Sequence, residues 1–115
     1  MKTAIYHNPR CSKSRATLEL LRNRGVEPEI IEYLNNPPDK QSLKRLLVLL
    51  RMEPRELMRK QETAYREAGL DCLSLDREQL IEAMVQHPIL IERPIVLANG
   101  KAVIGRPPEK VLEIL

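Results

Sequence analysis

The spacing of apolar positions divides the chain into an opening, a middle and an end. Residues 3–7 (Thr-Ala-Ile-Tyr-His) read as a short strand, and Asn8-Pro9 is a turn signal. A helical pattern follows from about Ser12, with Leu18 and Leu21 on one face and Gly25 as the expected C-cap. Residues 29–33 alternate polar and apolar around Ile30-Ile31 and read as a second strand.

The middle reads as helical. Residues 35–38 (Asn-Asn-Pro-Pro) break the chain, and Asp39 is a candidate N-cap. Leu43, Leu46, Leu47 and Leu50 fall at i, i+3, i+4 and i+7, an amphipathic stripe. Residues 54–60 read as a short helix with Pro54 in its first turn. Asp76 opens another, with Gln79 in the capping-box position and Leu80, Ile81, Met84 and Val85 turned inward; it should end before Pro88.

The end returns to strands. Residues 95–98 and 101–104 flank Asn99-Gly100, a strong hairpin signal, and Pro107-Pro108 opens a last helix through Leu115. The order β-α-β, helices, β-β-α predicts an α/β fold, a mixed four-stranded sheet with helices packed on it.

Composition narrows the classes. A chain of 115 residues is the size of one domain, and 43% apolar content argues against disorder. With three Tyr and no Phe or Trp, the core must be mostly aliphatic. The longest aliphatic run, residues 46–50, is far short of a membrane span, and no secretory signal is read at the N-terminus. Two cysteines make no disulfide framework, so a reducing, cytoplasmic compartment is expected. The net charge of +3 comes from interspersed charges with few aromatics to stack bases. That pattern favours a small anionic substrate over a nucleic acid.

The candidate chemistry lies in residues 7–15, His-Asn-Pro-Arg-Cys-Ser-Lys-Ser-Arg, between the first strand and the first helix. Cys11 there occupies a helix N-terminus, where backbone N–H groups and the helix dipole favour a thiolate. Arg10, Lys13, Arg15 and His7 add positive potential. The same N–H groups can cradle an oxyanion. Ser14 stands where a C-x-x-C pair would have its second thiol. A redox cycle at Cys11 would then need an external thiol such as glutathione, unless Cys72 reaches it. Cys72, in a loop after Gly69-Leu70-Asp71, reads as an incidental thiol, and His87 before Pro88 as a helix-end residue near the last carbonyls. Neither His-Cys pairing has the count or spacing of a structural zinc site. Position 17, six residues after Cys11, is Thr, so the Cys-x5-Arg loop of phosphatase-like reductases is absent.

Residues 7–15, the helical middle and residues 92–109, with their Arg-Pro-Ile-Val and Gly-Arg-Pro-Pro-Glu motifs, resemble the glutaredoxin-coupled arsenate reductase (ArsC) family over essentially the whole chain. Within that family the YfgD-like branch is the most similar. The resemblance implies one thioredoxin-like domain over residues 1–115 with a helical insertion at about 39–87. It implies that Cys11 is the nucleophile, that His7 tunes it, and that Arg59, Arg93 and Arg106 bind the arsenic oxyanion. Guanidinium groups suit that role because they present planar, permanently charged donor forks. It further implies a cis Pro94 facing the cysteine, glutathione as co-substrate, glutaredoxin as partner, and no bound cofactor or metal. Arg10 and Ser12-Lys13 depart from the smaller or less charged residues usual there. The extra cations would strengthen anion capture or adapt the site to another substrate. Two other readings stand beside the reductase: a glutathione-dependent thiol oxidoreductase that does not use arsenate, and an Spx-like regulator that binds RNA polymerase.

Overall fold

The computed structural model describes residues 2–115. The chain forms two units, one from residues up to 36 together with 93–115, the other spanning Pro37–Glu92.

The first unit is built on four strands, β1 (Ala4–His7), β2 (Glu29–Glu32), β3 (Ile95–Ala98) and β4 (Lys101–Ile104), in the order β2-β1-β3-β4. β1 runs parallel to β2 and antiparallel to β3, and β3 runs antiparallel to β4. A parallel pair needs a crossover. Helix α1 (Ser12–Asn23) supplies it. In register, Ile5 lies opposite Val96 and Val96 opposite Val103, so period-2 alternation puts all three on one face. Leu18 and Leu21 of α1 pack there with Val111 and Ile114 of the C-terminal segment. This is the thioredoxin-like α/β arrangement that the sequence led us to expect.

Two glycines turn the chain where an L side chain would be strained. Gly25 takes φ +77° after α1. The Gly25 N–H then donates to Arg22 O at 3.0 Å and the Val26 N–H to Leu21 O at 2.9 Å, a Schellman closure. Asn99 and Gly100, at φ 54° and 73°, make the two-residue hairpin turn.

The second unit contains α2 (Lys40–Leu50), α3 (Pro54–Leu57), α4 (Thr63–Glu67) and α5 (Arg77–Gln86), then a 3₁₀ turn at Pro88–Leu90. Asp39 caps α2 through the Ser42 N–H at 2.8 Å, and Asp76 and Gln79 form the expected capping box on α5. Leu43, Leu46 and Leu47 are buried, as are Leu80, Ile81 and Met84; Leu50 and Val85 are half-buried. Lys40–Glu82 at 2.7 Å and Lys44–Glu78 at 2.8 Å tie α2 to α5. Both pairs are exposed to solvent, so screening leaves each only weakly stabilising.

Three element expectations change. The helix read over residues 54–60 ends at Leu57, because Met58 pairs as an isolated β-bridge with Ile91. The last helix is a 3₁₀ segment, Pro108–Glu113. Too few residues follow the proline pair to propagate an α-helix. α4 was not anticipated; one buried residue, Tyr65, is too little to make a stripe.

Gly105 must lack a Cβ for another reason. A Cβ there would sit 2.6 Å from Thr17 Oγ1 and 3.0 Å from Pro94 Cγ. Gly105→Ala should therefore cost about 1–3 kcal/mol of stability. Denaturant titration of the two single variants and the Thr17→Ala/Gly105→Ala double variant checks this. The double variant should lose less than the sum of the singles, because Thr17→Ala removes the closest clashing atom and leaves only the Pro94 contact.

Candidate active site

The turn after β1 delivers Cys11 to the start of α1. The Asn8 carbonyl accepts from the Cys11 N–H at 3.0 Å, and Asn8 Oδ1 accepts from the Arg10 N–H at 3.0 Å. Arg15 reaches back from the helix to donate to Pro9 O at 2.9 Å. Cys11 is the N-cap residue, with extended backbone (φ −92°, ψ 123°). It is 8% exposed.

Burial pushes the Cys11 thiol pKa up, but the groups around it more than reverse this. The Ser14 N–H, the Arg93 side chain and the Lys13 N–H all favour the thiolate, and the net shift is downward. Arg106 adds a second guanidinium. Its Nη2 lies 3.5 Å from Cys11 Sγ, and its Nε donates to Arg93 O at 2.7 Å. The two arginines approach the sulfur from the ends of β3 and β4. Both Arg93–Pro94 and Arg106–Pro107 are cis, the first as the resemblance implied, the second not anticipated. Gly105 N–H donates to Pro94 O at 2.9 Å and ties the two segments together.

His7 meets Ser14. As the second residue after Ile5 it shares the face that α1 covers. Its Nδ1 lies 2.6 Å from Ser14 Oγ. The Asn8 N–H donates to the same oxygen at 3.0 Å. The Ser14 hydroxyl has two acceptor sites and one proton, so it can accept from the Asn8 N–H and still share a hydrogen bond with His7 Nδ1. Burial lowers the His7 pKa; Glu32 opposes and Arg22 and Arg15 add to the shift. A neutral ring fits this hydrogen-bond pattern. Ser14, fully buried, thus offers its N–H to the Cys11 sulfur and joins His7 through its hydroxyl.

Arg59 belongs to the other unit. Its Nη1 donates to Glu92 Oε1 at 2.6 Å and its Nε to Glu62 Oε2 at 3.2 Å, while its N–H donates to Leu90 O. Burial works against the charge, but the two carboxylates raise its pKa above the usual arginine value. Cys72 is exposed, with Sγ 3.1 Å from Ser74 Oγ. That contact lowers its pKa. His87 is the C-cap of α5, its backbone N–H on Ala83 O at 2.8 Å. No group of three or more metal-ligating side chains occurs among the described residues. No helix among them is long and apolar enough to cross a membrane.

The structure therefore brings Cys11, Arg93 and Arg106 together and links His7 to the cysteine's N-terminal turn through Ser14. In the sequence Ser14 marks only a missing second thiol. Its hydroxyl, four residues before a Leu18 that faces the core, carried the signal that it points inward.

Fold and site together define a thioredoxin-like protein with one activated cysteine and two arginines aimed at its sulfur. The chain belongs to the ArsC family, which it matches over residues 6–114. It is 61% identical over 112 residues to the Escherichia coli K12 protein named uncharacterized protein YfgD, covering 96% of this chain and 94% of that one. It is 50% identical over 112 residues to a protein of Neisseria meningitidis serogroup B named arsenate reductase, at 96% of each chain. A solved structure titled arsenate reductase from Vibrio cholerae superposes with a TM-score of 0.97 at 52% identity, covering 100% of this chain and 98% of that one.

Two outcomes follow from this geometry. In Arg93→Ala the pH midpoint of Cys11 alkylation by iodoacetamide should move upward; in the native protein it should lie below that of a free cysteine. Ser14→Ala leaves the buried Asn8 N–H without its acceptor. It should cost about 1–3 kcal/mol in denaturant titration.

Proposed function

We propose that this protein is an arsenate reductase that works through the Cys11 thiolate, with glutathione as co-substrate and glutaredoxin to regenerate it. The observation that carries the reading is the convergence of Arg93 and Arg106 on a cysteine whose pKa is lowered. A thiolate nucleophile and fixed donors for a tetrahedral oxyanion are the two parts this chemistry needs. The names of the relatives support arsenate as that oxyanion.

The Cys11 sulfur attacks arsenic(V). A sulfur–arsenic bond forms and one arsenate oxygen leaves as water after protonation. Arg93 and Arg106 offset the charge on the remaining oxygens. The glutathione thiolate then attacks Cys11 Sγ. The sulfur–sulfur bond forms, the sulfur–arsenic bond breaks, and its electron pair stays on arsenic. Arsenic leaves as arsenite, and the two thiols have supplied its two electrons. Glutaredoxin clears the Cys11–glutathione disulfide by thiol–disulfide exchange. Arg59 is assigned to the same oxyanion by the resemblance alone. A reducing compartment such as the cytoplasm supplies the glutathione pool.

NADPH oxidation coupled through glutathione, glutaredoxin and glutathione reductase tests this reading. Turnover should depend on arsenate and vanish in Cys11→Ser. Arg93→Ala and Arg106→Ala should each lower kcat/KM for arsenate by about 10²–10³. Turnover without arsenate dependence, with Cys11 still glutathionylated, would instead identify a thiol oxidoreductase with another substrate.

A further inference from the structure

A cavity of about 400 Å³ opens beside the cysteine turn, lined by His7, Asn8, Pro9, Arg10, Glu32, Leu34 and Asn35. We propose that it binds the co-substrate thiol, a short zwitterionic peptide of the glutathione type. This rests on the reading that glutathione is the reductant.

The volume falls within the range of small-molecule sites, and exceeds what one tetrahedral oxyanion fills. The lining carries opposite charges, Arg10 and Glu32, with amides at Asn8 and Asn35 and an apolar side chain at Leu34, 38% exposed. A ligand matched to it bears a carboxylate for Arg10, an ammonium for Glu32 and an aliphatic stem beside them. Glutathione has all three; arsenate has neither ammonium nor stem.

Position supports the same ligand. Asn8, Pro9 and Arg10 form both the cavity wall and the turn that ends at Cys11. The Asn8 carbonyl and side chain hold that turn, so the wall and the sulfur are rigidly linked. Arg10 and Cys11 are chain neighbours, with Cα atoms about 3.8 Å apart, and an extended tripeptide spans about 10 Å. A peptide seated by its charged end can therefore bring its thiol to Cys11. Cys11, Arg93 and Arg106 are not among the lining residues, so the cavity adjoins the cysteine turn without enclosing the sulfur. Oxyanion and thiol can be bound at once, as attack on an arsenic-bearing sulfur requires.

The test is a titration of ¹⁵N-labelled protein with S-methylglutathione, which binds but cannot exchange, in the absence of arsenate. Amide shifts should centre on Asn8, Arg10 and residues 32–35. Glu32→Lys, which should keep the native spectral dispersion, should weaken binding at least about threefold. No shifts at about 20 mM ligand, shifts confined to residues 93–94 and 105–106, or unchanged affinity in Glu32→Lys would each overturn the proposal. Binding here in a protein that does not turn over arsenate would remove the reductase reading and keep the site. Arsenate turnover without binding here would remove the site alone.

Discussion

A thiolate in a nearly buried position is the arrangement on which the rest of the site depends. Removing the sulfur from water opposes its ionisation. What reverses the balance is the start of α1, where the Ser14 and Lys13 N–H groups have no intrahelical partner, joined by the Arg93 side chain. The Cys11 side chain makes no cap hydrogen bond of ordinary geometry. These donors act on the ionised form, so the helix end and the anion stabilise each other.

Every neighbouring feature keeps those donors in place. Ser14 is locked by two hydrogen bonds to its hydroxyl, one from the Asn8 backbone and one with the His7 ring. His7 is brought there by strand alternation, because Ile5 two residues earlier packs under α1. On the opposite side, Thr17 and Gly105 let β4 approach the helix closely, and Arg106 follows directly from that contact. The result is a preorganised set of charges, which stabilises developing charge better than groups that must first move.

Much of this was legible in the sequence because it is local. Strand–turn–helix placement of Cys11 follows from Asn8-Pro9 and the Leu18/Leu21 spacing, and the hairpin from Asn99-Gly100. Asp39 and Asp76 announced their helices as caps. The convergence of Arg93 and Arg106 on Cys11 was not readable from spacing, since both lie more than eighty positions along the chain. Only the family resemblance pointed to them. The Ser14–His7 hydrogen bond and the Thr17–Gly105 approach are tertiary contacts with no periodic signature. The bridge between Met58 and Ile91 overrode the helical pattern read over residues 54–60, since a long-range backbone pairing outweighs a weak local propensity.

The most direct test of a thiolate that passes electrons to a bound oxyanion is intact-mass spectrometry under anaerobic conditions. The protein is incubated with reduced glutathione, with and without arsenate, and glutaredoxin is omitted so that the disulfide accumulates. One glutathione per chain is expected, on Cys11, formed only when arsenate is present. Glutathione bound equally without arsenate, attached at Cys72 instead, or not attached at all would contradict it.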